Sequence, residues 1–158
     1  MKPLVPRGPL FKHILIPTDG SPLAARGVRA GVKLARALGA RVTGLYVIFP
    51  YVPRVYGEAS LYYVPGMSPQ ECKKIFLKQA ARALAVIQRE AKAAGVRCQV
   101  KHATAGQPWE AILRTARSRK CDAVVMASHG RGGLGGLILG SETTHVLAKS
   151  KIPVLVVR

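Results

Sequence analysis

The feature that most constrains this chain is a regular alternation of short apolar runs with longer amphipathic segments. Runs with the composition of buried strands lie at residues 13–18, 41–48, 97–104, 122–128 and 153–157. Between them, apolar and small residues recur at steps of three or four, as on one face of a helix. Strands that alternate with helices form a mainly parallel sheet through right-handed crossovers. The pattern therefore predicts an α/β, doubly wound fold, with a five-stranded sheet and helices on both faces.

The first helix is bounded by clear local signals. Ser21 is suited to the N-cap, Pro22 to the first helical position, and Gly39 to the end of the helix. The residues predicted to face the sheet are Ala24, Val28, Gly31, Ala35 and Leu38.

The second helix begins with the spacing of a capping box, Ser68-Pro69-Gln70-Glu71, and is predicted to end at Gly95. Its predicted inward side chains are Leu77, Ala80, Leu84, Ile87 and Ala91. A third helix is predicted at residues 108–117, and a fourth from Ser141.

The length and composition predict one domain. A chain of 158 residues with 49% apolar content can bury a core without disulfides or a structural metal. We assign this domain to residues 11–158 and treat residues 1–10 as an N-terminal extension, because residues 4–8 look like a protease site from an expression vector. Residues 49–67, rich in Pro, Gly and Tyr, are a candidate lid or interface loop.

The cysteines and the apolar runs bear on the compartment. Cys72, Cys98 and Cys121 are odd in number and widely spaced, which predicts reduced, mostly buried thiols. No run is long enough to span a membrane, and the first residues lack the layout of a signal peptide. We therefore expect a cytoplasmic protein with no membrane contact.

The most unusual property of the chain is its large positive net charge. It has 25 Lys and Arg residues against 7 Asp and Glu, a formal net charge of +18. Such a balance favours anionic partners, whether nucleotides, nucleic acid or an acidic membrane surface. Because many of the cations fall on predicted outer faces of helices, a solvated surface is the simpler interpretation.

A glycine-rich segment between the fourth strand and the fourth helix carries the strongest functional signal. Glycine lets backbone amides approach a phosphate closely, and Gly140-Ser141 lies where the start of a helix supplies unpaired amides. The hydroxyls of Ser141 and Thr143 and the charge of Arg131 would strengthen an anion site. A flexible loop with an ordinary helix cap is the alternative.

The turns that follow strands one and four are rich in polar residues. In an open parallel sheet, ligands bind beyond the carboxyl ends of the strands where the strand order reverses. Asp19 supplies a hard carboxylate oxygen of the kind Mg²⁺ uses, although Asp-Gly is also a common turn. Glu142 suits the helix dipole but could compete with a bound polyphosphate. His129 lies in the second turn, with no partners at a spacing that indicates a catalytic triad.

These segments together resemble a known family. The segments that carry the resemblance are Ile14–Ser21, Val124–Gly130, Leu139-Gly140-Ser141 and Pro153–Val157. Over residues 11–158 the chain resembles a universal stress protein of the nucleotide-binding branch. That resemblance implies a sheet in the order 3-2-1-4-5.

The nucleotide-binding members carry G-x-x-G-x9-G-[ST] after the fourth strand. Here Ala127 occupies the first position, followed by Gly130, Gly140 and Ser141. The resemblance implies that the backbone of these glycines and of Ser141, with the Ser141 and Thr143 hydroxyls, holds the phosphates.

The resemblance also assigns the remainder of the site. Asp19 would meet the ribose or a nucleotide-bound Mg²⁺ or Mn²⁺, and Pro17 and Thr18 would flank the base. The main chain around Val47, together with Met126, would recognise the adenine.

The expected function is therefore that of an adenine-nucleotide-binding stress-response or regulatory protein that holds ATP, ADP or AMP. Bound nucleotide would alter residues 49–67 and so a surface for an unidentified protein partner. The sequence offers no convincing base for phosphoryl transfer, which predicts signalling rather than fast catalysis and leaves slow ATP hydrolysis open.

Two alternatives stay open. A basic nucleic-acid-binding protein would account for the charge. The small number of aromatic residues and the absence of a recognised nucleic-acid fold count against this alternative. A nucleotide-free dimerising module would use the last strand, Val154 to Val157, which commonly pairs across a homodimer in this family.

Overall fold

The computed structural model describes residues 8–50, 66–129 and 139–158. The loop predicted at residues 49–67 therefore lies mostly outside the described residues, as do Gly130 and Arg131. The elements in chain order are β1 (His13–Thr18), α1 (Pro22–Leu38), β2 (Arg41–Ile48), α2 (Pro69–Ala93), β3 (Cys98–Thr104), α3 (Pro108–Ser118), β4 (Ala123–Ala127), α4 (Ser141–Lys149) and β5 (Val154–Val157).

The strands form one sheet in the order β3-β2-β1-β4-β5, and every neighbouring pair is parallel. Helix α1 packs on β1 and β4, while α2 packs on β2, β3 and α1. Helices α3 and α4 contact each other; α3 also contacts β2 and α4 contacts β5. The predicted doubly wound α/β fold and its strand order are confirmed.

The central strand directs its side chains alternately into two apolar clusters. Ile14 and Ile16 belong to the cluster beneath α1 and α2, whereas Leu15 belongs to the cluster that contains residues of α3 and α4. All three are fully buried. This two-sided burial is why the sequence of β1 is apolar throughout rather than alternating.

Two glycines allow the first two helices to approach the sheet closely. A Cβ on Gly31 of α1 would lie 2.6 Å from the Cδ1 atom of Ile16, and one on Gly44 of β2 would lie 2.8 Å from the Cδ1 atom of Ile87. Both distances are below contact, so neither position accepts a side chain without local rearrangement.

The predicted helix caps are confirmed. Ser21 Oγ accepts a hydrogen bond from the Ala24 amide at 3.1 Å, and Gly39 adopts a left-handed conformation with φ of 65°. In α2, Ser68 Oγ accepts from the Glu71 amide at 3.2 Å, and Glu71 Oε2 accepts from the Ser68 amide at 2.7 Å. These are the reciprocal bonds of a capping box.

One predicted inward residue of α2 is wrong. Leu77 is 37% exposed, whereas Ala80, Leu84, Ile87 and Ala91 are buried as predicted. A helix of 25 residues is about 37 Å long, and a strand of 8 residues spans only about 26 Å. The early turns of α2 therefore extend past the sheet, and Leu77 has no strand to pack against.

The strand boundaries differ from the prediction by one residue at several ends. Strand β4 begins at Ala123, and the side chain of Asp122, just before it, accepts hydrogen bonds from the Lys12 and His13 amides at the start of β1. Strand β5 begins after Pro153, whose carbonyl nevertheless accepts a hydrogen bond from the Val124 amide at 2.9 Å.

Cys72 and Cys121 are buried free thiols, as predicted, and Cys98 is half-buried. In the described ranges, no helix combines the length and apolar character that crossing a membrane requires.

Candidate functional site

A cavity of about 630 Å³ opens at the carboxyl ends of β1, β2 and β4. Its volume lies within the range typical of small-molecule sites. The predicted site residues that line it are Pro17, Thr18, Asp19, Val47, Met126, Ala127, Gly140, Ser141, Glu142 and Thr143. The structure thus brings together all the predicted site residues that it describes.

One wall of the cavity is the turn from β1 into α1. Thr18 Oγ1 accepts a hydrogen bond from the Gly20 amide at 3.1 Å, and Asp19 Oδ1 accepts from the Ser21 amide at 2.9 Å. Gly20 has φ of 79°, a conformation that favours glycine. These contacts hold the Asp19 carboxylate at the start of α1, on the cavity wall.

The opposite wall is the start of α4, which is fixed to the end of β4. The Gly140 amide donates to the Ser128 carbonyl at 2.8 Å, and the Thr143 hydroxyl donates to the Ala127 carbonyl at 3.0 Å. Both donors were expected to bind phosphates. In this structure both donate within the protein and position the helix, and their role toward phosphates stays a prediction.

The amides of Ser141, Glu142 and Thr143 form the first turn of α4. Amides in a first turn have no acceptor within the helix, and the N-cap, Gly140, has no side chain with which to cap them. The cavity is therefore lined at this point by backbone donors and by the positive end of a helix dipole.

The carboxylate of Glu142 does not point freely into the cavity. Its Oε2 atom accepts a hydrogen bond from the Trp109 amide at 2.7 Å, in the first turn of α3. The carboxylate bridges the starts of α3 and α4, and its competition with a bound polyphosphate through its negative charge stays a prediction.

The main chain of Val47 faces the cavity because β1 is shorter than β2. The Ile48 carbonyl accepts from the Ala105 amide, so the backbone of Ile48 is directed to β3. In a parallel sheet, the amide and carbonyl of one residue face the same neighbouring strand, and those of the next residue face the strand on the other side. The Val47 carbonyl is therefore directed toward the β1 side, beyond Thr18, the last residue of that strand.

Further lining residues were not predicted, among them residues of α2 and α3. Phe76 and Gln79 come from α2, and Pro108 and Ile112 come from α3. The topology could have predicted that these helices contribute lining residues, because a helix that follows a strand begins near the carboxyl end of that strand.

His129 also lines the cavity. Its Nδ1 atom lies 2.9 Å from Ser128 Oγ, and its Nε2 atom is buried without a hydrogen-bond partner in the structure described. Among the described lining residues there is no Lys or Arg. In the described part of the site, the attraction for an anion therefore comes from backbone amides and the helix dipole.

Comparison with known proteins assigns the family. Residues 10–158 match the Universal stress protein family. The chain is 35% identical over 150 residues to the universal stress protein in the QAH/OAS sulfhydrylase 3′ region of Thermus aquaticus, covering 94% of this chain and 100% of that one. This chain belongs to the universal stress protein family.

Solved structures show the same fold. The structure of MJ0577 of Methanocaldococcus jannaschii has a TM-score of 0.72 and 26% identity, covering 92% of this chain and 94% of that one. A universal stress protein crystallised in complex with cAMP has a TM-score of 0.67 and 23% identity, covering 94% of this chain and 97% of that one.

Proposed function

We propose that this universal stress protein binds an adenine nucleotide in the cavity and acts as a stress-response or regulatory protein. The observation that carries the proposal is the mixed lining of this one cavity. The first-turn amides of α4 and the Asp19 carboxylate line it together with apolar side chains such as Ile112 and Met126. That arrangement suits a ligand with a charged phosphate tail and a flat, mostly apolar base.

The phosphate end is formed by α4. The amides of Ser141 and Glu142 and the exposed Ser141 side chain are the donors that we assign to the phosphates. Gly140 and Thr143 hold the helix in place through their bonds to β4. Gly130 and Arg131 keep their predicted role as further phosphate contacts.

The adenine end is formed by strands. The Val47 carbonyl accepts a hydrogen bond from the exocyclic amine of adenine, a donor that a purely apolar compound lacks. Pro17, Thr18 and Met126 line the space beside it and contact the faces of the ring. A few placed polar groups within an apolar lining are the usual means by which a cavity orients its ligand.

A divalent cation would enter with the nucleotide. Among the described residues, no three His, Cys, Asp or Glu side chains are grouped so as to hold a metal ion. Mg²⁺ commonly binds through one or two carboxylates, phosphate oxygens and water. The single carboxylate of Asp19 on the cavity wall fits that role for nucleotide-bound Mg²⁺ or Mn²⁺.

Binding rather than rapid turnover follows from the lining. Phosphoryl transfer needs charge clamps and a positioned base around the transferred group, and the described lining has no Lys or Arg. The cAMP complex of a relative supports an adenine nucleotide as the ligand class. We assign ATP, ADP or AMP as the ligand and a protein partner as the receiver of the signal.

The proposed oligomer is a homodimer through β5. This strand is at the edge of the sheet, and its Leu155 side chain is 49% exposed. An apolar edge strand is a site for pairing with a second chain. Light scattering is expected to give the mass of a dimer at micromolar concentration, and a monomer alone would contradict this assignment.

The test of the nucleotide site is Ser141→Asp. A carboxylate at the first position of α4 complements the helix dipole, so the fold is preserved to within about 0.5 kcal/mol. The same carboxylate repels phosphates, and we expect the affinity for MgATP, measured by calorimetry, to fall at least about a hundredfold.

The matched control is Gln88→Glu, which adds the same charge on the exposed face of α2, away from the cavity. It is expected to bind MgATP like the parent protein. Equal affinity of all three proteins, or no binding by any of them, overturns the proposed site.

A further inference from the structure

The outer surface of α1 is a stripe of positive charge. Its exposed cations are Arg26, Arg29, Lys33 and Arg36. Steps of three and four keep these side chains on one side of the helix. The residues buried against the sheet, such as Val28 and Ala35, lie on the other side, so the cations point away from the core.

Helix α2 has a second, longer stripe. Five of its six exposed cations form this stripe, namely Lys74, Lys78, Arg82, Arg89 and Lys92, and the sixth, Lys73, lies on another side of the helix. The five cations lie opposite the buried residues Leu84 and Ile87 and extend over about 27 Å of helix. Since α1 and α2 pack side by side on the same face of the sheet, the two stripes form one surface, which we name the basic face.

Little negative charge offsets the basic face. Helix α1 has no Asp or Glu, and α2 has Glu71 and Glu90. The Glu71 carboxylate is engaged in the capping box with Ser68. Within the described residues, no ion pair joins a cation of the basic face to a carboxylate. The positive potential of this surface is therefore available to a partner.

We propose that the basic face binds the phosphate backbone of double-stranded DNA without sequence preference. Neighbouring packed helices lie about 8–10 Å apart. That spacing is of the same order as the widths of the B-form grooves, about 6 and 12 Å, so phosphates of both DNA strands can reach the two stripes. A-form RNA has a deep, narrow major groove and a wide, shallow minor groove, so its two phosphate rows are spaced differently.

Other polyanions fit the surface less well. Single-stranded nucleic acid is held largely by stacking on aromatic side chains. Helix α1 has none, and the only aromatic residue of α2, Phe76, lines the cavity. Insertion into a bilayer needs an exposed apolar helix face. The apolar residues of α1 and α2 mostly pack against the sheet, and the large exposed ones on these helices are only Ile75 and Leu77, each 37% exposed.

The first experiment is a titration of the full chain into two fluorescent 20-bp duplexes of unrelated sequence, followed by anisotropy between 50 and 200 mM salt. We expect equal affinities for both and a log-log salt slope of about −4 to −6. No binding at 50 mM salt overturns the proposal, and so does a clear preference for one sequence.

The second experiment locates the surface with two variants that each lose four positive charges. One is Lys74→Gln, Lys78→Gln, Arg82→Gln and Arg89→Gln on α2. The control is Arg114→Gln, Arg117→Gln, Arg119→Gln and Lys151→Gln, all exposed on the opposite side. We expect the α2 variant to lose about a hundredfold or more in affinity at 50 mM salt, with a slope shallower by about 3. The control is expected to lose less than about threefold.

Equal losses in the two variants would show that net charge, not the basic face, drives binding, and would overturn the proposal. Two competitors test the class of partner: double-stranded RNA, and vesicles of phosphatidylcholine with phosphatidylserine. Competition by either as effective as that by duplex DNA also overturns it. Both variants are expected to bind MgATP normally, so failure here is distinguishable from failure of the nucleotide site.

Discussion

At the amino end of the sheet most polar groups bond to one another, although His13 Nδ1 is buried without a hydrogen-bond partner, whereas at the carboxyl end several polar groups are directed into a cavity. Asp122 accepts hydrogen bonds from the Lys12 and His13 amides at 2.8 and 3.0 Å, and His13 Nε2 lies 2.8 Å from Thr43 Oγ1. At the other end, the first-turn amides of α4 have no acceptor in their helix. The same sheet thus has one edge built for stability and one suited to a ligand.

Two titratable groups of the amino end, His13 and Cys121, are held in their neutral forms. Burial lowers the pKa of His13, and the nearby Arg41 charge lowers it further. Burial, together with the Asp122 charge, raises the pKa of the Cys121 thiol to about 11. Neither group is suited to carry a charge at neutral pH.

The same substitution at the two ends of β2 is the strongest way to test this comparison. Val42→Phe inserts a ring where the side chain is 1% exposed, and overpacking is expected to lower the free energy of unfolding by about 1–3 kcal/mol. Val47→Phe fills part of the cavity. It is expected to change the free energy of unfolding by less than about 1 kcal/mol and to lower MgATP affinity at least tenfold.

Urea unfolding measures the free energy of unfolding of both variants, and calorimetry measures their affinity for MgATP. If Val47→Phe were destabilised as much as Val42→Phe, the cavity would be part of the packed core rather than an open site.

The second test removes the acceptor at the amino end. Asp122→Ala leaves the Lys12 and His13 amides without a charged partner, and is expected to lower the free energy of unfolding by about 2 kcal/mol. Asp122→Asn keeps one acceptor oxygen and is expected to lose about half as much. Urea midpoints measure both, and an unchanged affinity for MgATP confirms that the two ends are independent.

The third test uses pH. Because His13 has a lowered pKa in the folded state, the unfolded chain binds its proton first as the pH falls below about 6.5. The free energy of unfolding is then expected to decrease with falling pH, by up to about 1.4 kcal/mol per pH unit, and to be insensitive to this group above pH 6.5.

His13→Gln is expected to flatten that dependence, and His102→Gln, at an exposed position of β3, to leave it in place. Identical pH profiles of unfolding for the parent and His13→Gln would contradict the assignment.

The smallest expected effect is at Glu142. Glu142→Gln keeps an oxygen to accept from the Trp109 amide but removes the negative charge beside the proposed phosphates. MgATP affinity is expected to rise about two- to threefold, corresponding to roughly 0.5 kcal/mol. A fall in affinity would instead indicate that the carboxylate itself takes part in binding.

The fold was predictable because its signals are local. Ser21, the Ser68–Glu71 capping box and Gly39 act within a few residues of the backbone they control, and each is found as predicted. Leu77 was not predictable in this way. Helical periodicity assigns a side to a residue, but only the length of the neighbouring strands decides whether that side meets the sheet.

The site was predictable in location but not in the use of each atom. The sequence and the family resemblance brought Asp19, Val47 and Ser141 to one edge of the sheet, where they line the same cavity. Whether a hydroxyl or amide faces a ligand or another part of the protein depends on tertiary contacts. The bond from Thr143 to Ala127 spans 16 residues and has no sequence signature.

The hydrogen bond between Glu142 and the Trp109 amide has a practical consequence. Trp109 is the only tryptophan of the chain, and its ring stacks on His145 of α4 with centroids 5.6 Å apart. The Lys149 amine lies 5.1 Å from the centre of the same ring. Occupation of the α4 amides would shift these neighbours against the indole. We therefore expect the intrinsic tryptophan emission of the unlabelled protein to change when the proposed nucleotide binds.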